Sequence, residues 1–310
     1  MKVIENFLSL FNSAPKPPVF NRQPLVFKYV DFRDLNTLGS NVLSTIQNRK
    51  GIDGIVIRNF LTPEENAPLK AAIEAHIRER KEQGEITYSY PPTFGDLEQN
   101  FDRDEVKQEY FSRSRDFTEN FVAHFRVDFV NRLLSTFQQL ESRVETGLIP
   151  AERYNSNYLP ATIRLIPSPH FDEMRTHCGN MFCGKQYFSK YYEDIVPLVE
   201  IINQLSYFML VQKPEVGGKL MVYNITCYEA PNTTCEDETI DLLGNNGQFI
   251  NLHDGSVEEI PIEMNEGDLL VFAGGELWHR VSKVEGSLTR YSLGGFMGFS
   301  HDGSRLYVWS

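Results

Sequence analysis

From about residue 159 onward the chain breaks into short β-rich runs separated by glycine turns, and no other feature of its 310 residues limits the fold more tightly. The runs fall at 161–166, 206–211, 219–223, 269–272, 278–284, 290–299 and 306–309, with Gly217-Gly218 and Gly274-Gly275 among the turns between them. The first half reads differently. After one buried strand at 54–58, Thr62-Pro63-Glu64-Glu65 opens a helix, with Thr62 as the cap, Pro63 at the first helical position and Glu65 closing a capping box. Leu69, Ile73 and Ile77 continue it at four-residue spacing to a stop near Gly84, and Pro68 bends its first turns. A second helical region over 115–143 carries Phe121, Phe125, Leu133, Phe137 and Leu140 on one broad stripe, suited to lying on a sheet. Helices followed by many short strands predict an α+β fold, a double-stranded β-helix (jelly-roll, cupin-like) core with buttressing helices from the N-terminal half. The expected organisation is an N-terminal leader at 1–18 and one domain at 19–310, helix-rich over 19–158 and jelly roll over 159–310. Within it, 227–265 is acidic and rich in Asn and Gly, with a hairpin turn at His253-Asp254-Gly255. It is a candidate lid or an insertion.

Charge and composition narrow the function classes. Lys and Arg total 30 against 42 Asp and Glu, a net charge of -12, and no basic run offers a grip on a phosphate backbone, so no nucleic-acid partner is expected. The longest apolar runs, such as 267–273, are too short to cross a bilayer, and no membrane partner is expected. Glu5 and Asn6 interrupt the apolar start of the chain, which argues against a secretory signal. Cys178, Cys183, Cys227 and Cys235 form neither a disulfide framework nor a zinc motif, and they read as reduced thiols of a cytoplasmic protein.

Histidine spacing carries the chemistry. In mononuclear iron oxygenases two histidines and one carboxylate hold Fe(II), the first histidine and the carboxylate lying two residues apart. Two stretches could supply that first histidine beside Trp278-His279-Arg280-Val281. His170-Phe171-Asp172 would complete a hydroxylase triad with His279, whereas His177-Cys178-Gly179-Asn180 has glycine where the carboxylate would stand. Pro167 and Pro169 favour a turn just before His170, which favours His177, seven residues on, as the histidine that begins a new strand, with His170 the alternative. On a strand, residues 177 and 179 would share a face, and Gly179 would open one position beside the metal. His76, His124, His253 and His301 have no partner at ligand spacing.

Several segments together resemble one family. Leu159-Pro160-Ala161-Thr162-Ile163-Arg164-Leu165, His177-Cys178-Gly179-Asn180, Gln204-Leu205-Ser206-Tyr207-Phe208, 214–223, 279–284, Gly294-Gly295-Phe296 and Tyr307-Val308-Trp309-Ser310 are similar to the cyanobacterial indole-alkaloid halogenases of hapalindole and welwitindolinone biosynthesis. That resemblance is dense from about residue 159 to the end and implies an enzyme using Fe(II), 2-oxoglutarate, O2 and chloride or bromide. It implies His177 and His279 as iron ligands, Gly179 as the halide position, and Arg290, eleven residues after His279, as the partner of the cosubstrate's distal carboxylate. Arg164 is a second candidate for the cosubstrate or a structural cation, and Ser206 and Asn180 fall near the metal. The reaction implied is chlorination of an unactivated aliphatic carbon on a free small molecule, a hapalindole-type indole alkaloid or related natural product, without a carrier protein. A non-catalytic jelly-roll binding protein is the alternative from another class.

Overall fold

A computed structural model describes residues 23–82, 89–91, 103–167, 174–183, 192–230, 232–233, 241–243, 249–252 and 257–310. The expected leader at 1–18, the His253-Asp254-Gly255 turn and the His170-Phe171-Asp172 stretch lie outside those residues.

The helical half begins with strand β1 (Phe27–Asp31), helix α1 (Val42–Gln47) and strand β2 (Gly54–Arg58), followed by helix α2 (Pro63–Glu82). The capping box forms as the residues dictate: Glu65 Oε2 accepts from the Thr62 amide at 2.9 Å and Thr62 Oγ1 from the Glu65 amide at 3.3 Å. The region expected as one helix over 115–143 is two, α3 (Asp104–Phe125) and α4 (Phe129–Leu140). Arg126, in the left-handed conformation at φ 66°, closes α3 and turns the chain before α4.

The remaining strands of four or more residues are β3 (Glu145–Leu148), β4 (Thr162–Ile166), β5 (Met174–His177), β6 (Leu205–Gln212), β7 (Leu220–Thr226), β8 (Glu259–Ile262), β9 (Leu269–Phe272), β10 (Leu277–Val281), β11 (Arg290–Phe299) and β12 (Arg305–Trp309). The larger sheet runs β1-β2-β9-β6-β11-β12-β3, and β4 pairs with the first half of β11. The smaller sheet runs β8-β7-β10-β5. Together they make the double-stranded β-helix, and the helices buttress the larger sheet.

Period-two alternation divides the labour on the larger sheet. Tyr207, Met209 and Val211 of β6 face the helices, where Phe137 of α4 meets Tyr207 edge-on at 5.2 Å between ring centres. The aromatic stripe of α3 and α4 is buried there, Phe121, Phe125, Phe129 and Phe137 together. Ser206 and Phe208 face the opposite way, into the space between the sheets.

The smaller sheet does the same. Tyr223 and Ile225 of β7 and Trp278 of β10 point outward into a second core cluster with Cys178, Cys227, Leu242, Leu252 and Val257. The described part of 227–265 therefore packs on the outer face of the smaller sheet, through Leu242 and Leu252, and its last residues form β8 itself. Among the described residues, no helix is long and apolar enough to cross a membrane.

Candidate active site

Sheet register brings the two histidines together. His177, the last residue of β5, is the cross-strand partner of His279 in β10, and the two rings stand 4.4 Å apart between centres. Val222 of β7 is the partner of His279 on its other side, so one row crosses the smaller sheet and ends in a histidine pair. His279 is buried, and its Nδ1 lies 2.9 Å from the Leu277 carbonyl. That contact assigns the proton to Nδ1 and leaves Nε2 as a lone-pair donor. Burial, and then the neighbouring His177, hold the His279 imidazole well below its ordinary pKa, which keeps it neutral as a metal ligand must be.

The pair opens into a cavity between the sheets. Two rows of the larger sheet face it. Phe272, Ser206 and Phe296 are neighbours across β9, β6 and β11, and Arg164 of β4 is the partner of Ser292. Phe272 meets the His279 ring edge-on at 4.9 Å between ring centres, so an aromatic side chain packs against the imidazole.

Arg290 enters the same cavity from the start of β11 and is 3% exposed. Its Nε donates to the Gly218 carbonyl at 2.9 Å, its Nη1 to Ser292 Oγ at 3.0 Å, and the guanidinium lies 5.2 Å from the centre of the Phe208 ring. Among the described residues no carboxylate pairs with it. Burial and the nearby Arg164 lower its pKa to about 10, so it stays charged at neutral pH. A buried, oriented guanidinium with no counterion is a receptor for an incoming carboxylate, because pairing removes the penalty of leaving the charge alone. The Gly217-Gly218 turn makes this possible: both residues have positive φ, and a side chain on Gly218 would press on Pro214 and on Arg290 itself.

The remaining expected residues sort unevenly. Ser206 and Arg164 line the cavity. Asn180 does not. It is buried with Nδ2 donating to Asn203 Oδ1 at 2.8 Å and Oδ1 accepting from the Asn203 amide at 2.9 Å, so it fastens its own turn to the segment before β6. The shared strand face expected for residues 177 and 179 is corrected: β5 ends at His177, and Gly179 opens a short helical turn, α5 (Gly179–Cys183). The amides of Gly179 and Asn180 donate to the carbonyls of Gly274 and Gly275, both at 2.8 Å, which draws the chain off the strand line.

Two residues escaped the sequence reading. Ser292, which orients Arg290, was signalled only by its place two after the arginine on one strand face. Gln204, whose side-chain nitrogen lies beside Gly179, appears in the sequence only as the first residue of the resembling segment 204–208, with no role of its own.

A metal fits the donor set only in one way. Among the described residues there is no cluster of three or more His, Cys, Asp or Glu, and no acidic residue lines the cavity. Two imidazoles, with no carboxylate beside them among the described residues, would leave more positions of an iron ion open to small ligands than a facial triad does.

The family described as carrier-protein-independent halogenase WelO5 matches residues 27–310. A solved N-substituted L-amino acid dioxygenase from Burkholderia ambifaria AMMD is similar in fold at 16% identity and a TM-score of 0.51, over 86% of this chain and 90% of that one. A structure of such a dioxygenase from that organism in complex with alpha-KG aligns at 15% identity and a TM-score of 0.49, over the same shares of both chains. No curated protein matches the chain.

Proposed function

Because the chain belongs to the family of carrier-protein-independent halogenases represented by WelO5, we propose that it chlorinates an unactivated aliphatic carbon of a free small molecule. The observation that carries this reading is the cross-strand pair His177 and His279, opening into a cavity without an acidic side chain among the described residues. When bound, Fe(II) with 2-oxoglutarate, O2 and chloride supplies the oxidation: carbon–hydrogen becomes carbon–chlorine while the cosubstrate becomes succinate and CO2, and water is released.

The protein's own residues position and exclude. His177 and His279 hold the metal through imidazole nitrogens, and Leu277 fixes the His279 tautomer. Arg290, steadied by Ser292 and the Gly218 carbonyl, grips the distal carboxylate of 2-oxoglutarate. Arg164 adds positive charge beside it. Phe208, Leu220, Phe272, Val281 and Phe296 keep the cavity apolar, which suits a terpenoid indole of the hapalindole type or a related natural product. Gly179 leaves the halide its place, and Ser206 presents a hydroxyl on the same wall as Phe272 and Phe296. Where that wall holds the target carbon relative to the halide would decide the product, so small displacements of the wall change the outcome.

The test needs no substrate. The protein is reconstituted without oxygen with Fe(II) and 2-oxoglutarate, and chloride is titrated while the visible metal-to-cosubstrate charge-transfer band is followed. A saturable shift with chloride is the expected result. A band indifferent to chloride would replace this reading with a hydroxylase, and absence of any band would end it.

A further inference from the structure

A second pocket lies between the sheets on the far side of Arg290. Along β6 the inward residues divide in order: Ser206 lines the cavity, Leu210 lines the outer pocket, and Phe208 between them lines both. The smaller sheet repeats this in one cross-strand row, with Val281 on the cavity, Ile262 on the outer pocket and their shared partner Leu220 on both. Arg290 also faces both spaces. Its Nε is bound to the carbonyl of Gly218, a residue of the outer pocket, and its Nη1 to Ser292, a residue of the cavity, so the guanidinium spans the partition. The partition is one phenyl ring, one leucine and this cation.

The charges of the outer pocket suit an anion. Both of its acidic residues are engaged: Glu215 accepts from the Ser287 amide at 2.7 Å and the Ser287 hydroxyl at 2.9 Å, and Glu263 pairs with Lys219. Glu266 nearby accepts from the Lys213 amide at 2.9 Å. The Lys213 ammonium, on an exposed residue of the pocket, has no carboxylate partner among the described residues, and neither has Arg290 at the buried end. The protein carries a net charge of -12, so a small anion is repelled by most of its surface and meets unpaired cations here. Glycine keeps the passage clear, since a Cβ on Gly218 would lie 2.5 Å from Pro214 Cγ and 3.2 Å from Arg290 Cδ.

We propose that the outer pocket is the port through which the small dicarboxylate cosubstrate reaches Arg290 and its dicarboxylate product leaves, without crossing the space that the organic substrate fills. The inference rests on the proposed function and adds a route to it. Phe208, half-buried with its ring centre 5.2 Å from the guanidinium, is the side chain that turns aside to let the dicarboxylate pass. An organic molecule in the cavity then does not bar exchange of the cosubstrate.

Association and release of 2-oxoglutarate are followed by stopped flow in the Fe(II) protein without oxygen, through the charge-transfer band. Met264 lines the outer pocket and not the cavity, and Met264→Trp fills the port. It is expected to slow association and release by a common factor of about tenfold and to leave Kd within about twofold, because an obstructed route changes both rates and no equilibrium. Lys213→Glu reverses an exposed charge and is expected to slow association about threefold or more at low ionic strength, a difference that disappears in high salt. Wild-type association rates in Lys213→Glu at low salt overturn the proposal, whether or not Met264→Trp folds. So does a Met264→Trp protein with a raised Kd and faster release, which would mark damage to the Arg290 site and not a blocked route. A wild-type protein that forms no charge-transfer band with 2-oxoglutarate overturns the proposed function, and the port with it, whereas a normal band with unaltered rates in both variants overturns the port alone.

Discussion

His279 has its Nδ1 committed to the Leu277 carbonyl, which leaves Nε2 as the atom that would meet the metal under the proposed function. Removing either ring of the facing pair, as in His177→Ala or His279→Ala, is expected to leave a folded protein whose iron content falls to background by metal analysis. His170→Ala is expected to keep its iron, and loss there instead would restore the His170-Asp172 ligand set. Arg290→Lys keeps a positive charge but loses the planar fork and both of its steadying contacts, so Kd for 2-oxoglutarate is expected to rise about tenfold or more by titration. At this scale the polar lining of the cavity was largely legible in the chain. His177, His279, Arg290 and Ser206 stand out by spacing and by resemblance, and the structure brings all four to one cavity. Gln204 stands in the sequence only within the resembling segment 204–208 and without a role, because its closeness to Gly179 depends on the approach of the 274–275 turn to that segment, a contact across the fold that leaves no local pattern.

Elements show the same division. Strands at 269–272 and 290–299 appear with the bounds that their apolar runs predict. By contrast β1 was missed because it is an edge strand with its side chains largely uncovered, and β8 because Pro261 breaks its pattern at the other sheet's edge. The helix break at Arg126 is invisible to hydrophobic periodicity, which continues through it. One local signal was fully legible: the α2 capping box, where Glu65 also pairs with Arg132 of α4. The Arg132 guanidinium, with help from the Thr62 amide, lowers the Glu65 pKa from 4.5 to about 2. A depressed carboxylate stabilises the fold at neutral pH, and that contribution is lost as pH falls from about 4.5 through about 2. Glu65→Gln is therefore expected to destabilise the protein by about 1 kcal/mol at pH 7, kept low because the pair is partly solvated. In thermal melts the gap from wild type is expected to close at the acid end of that window, and a pH-independent gap would refute the assignment.

At the scale of the whole molecule, helices and site share one sheet from opposite sides. Phe137, fully buried against Tyr207, serves only the helical side. Phe137→Ala is expected to cost about 3–5 kcal/mol of stability by denaturant unfolding, while the surviving native protein binds 2-oxoglutarate as before. A parallel loss of affinity would mean that the sheet transmits the defect to its other face. The Arg290 guanidinium bears on the entire fold in a different way. A native state that encloses an uncompensated cation is less stable by the cost of that burial, and a dicarboxylate that binds only the native state restores it in proportion to its concentration. The melting temperature then climbs with 2-oxoglutarate, and the lifetime of this catalyst in the presence of proteases becomes tied to the supply of a central metabolite.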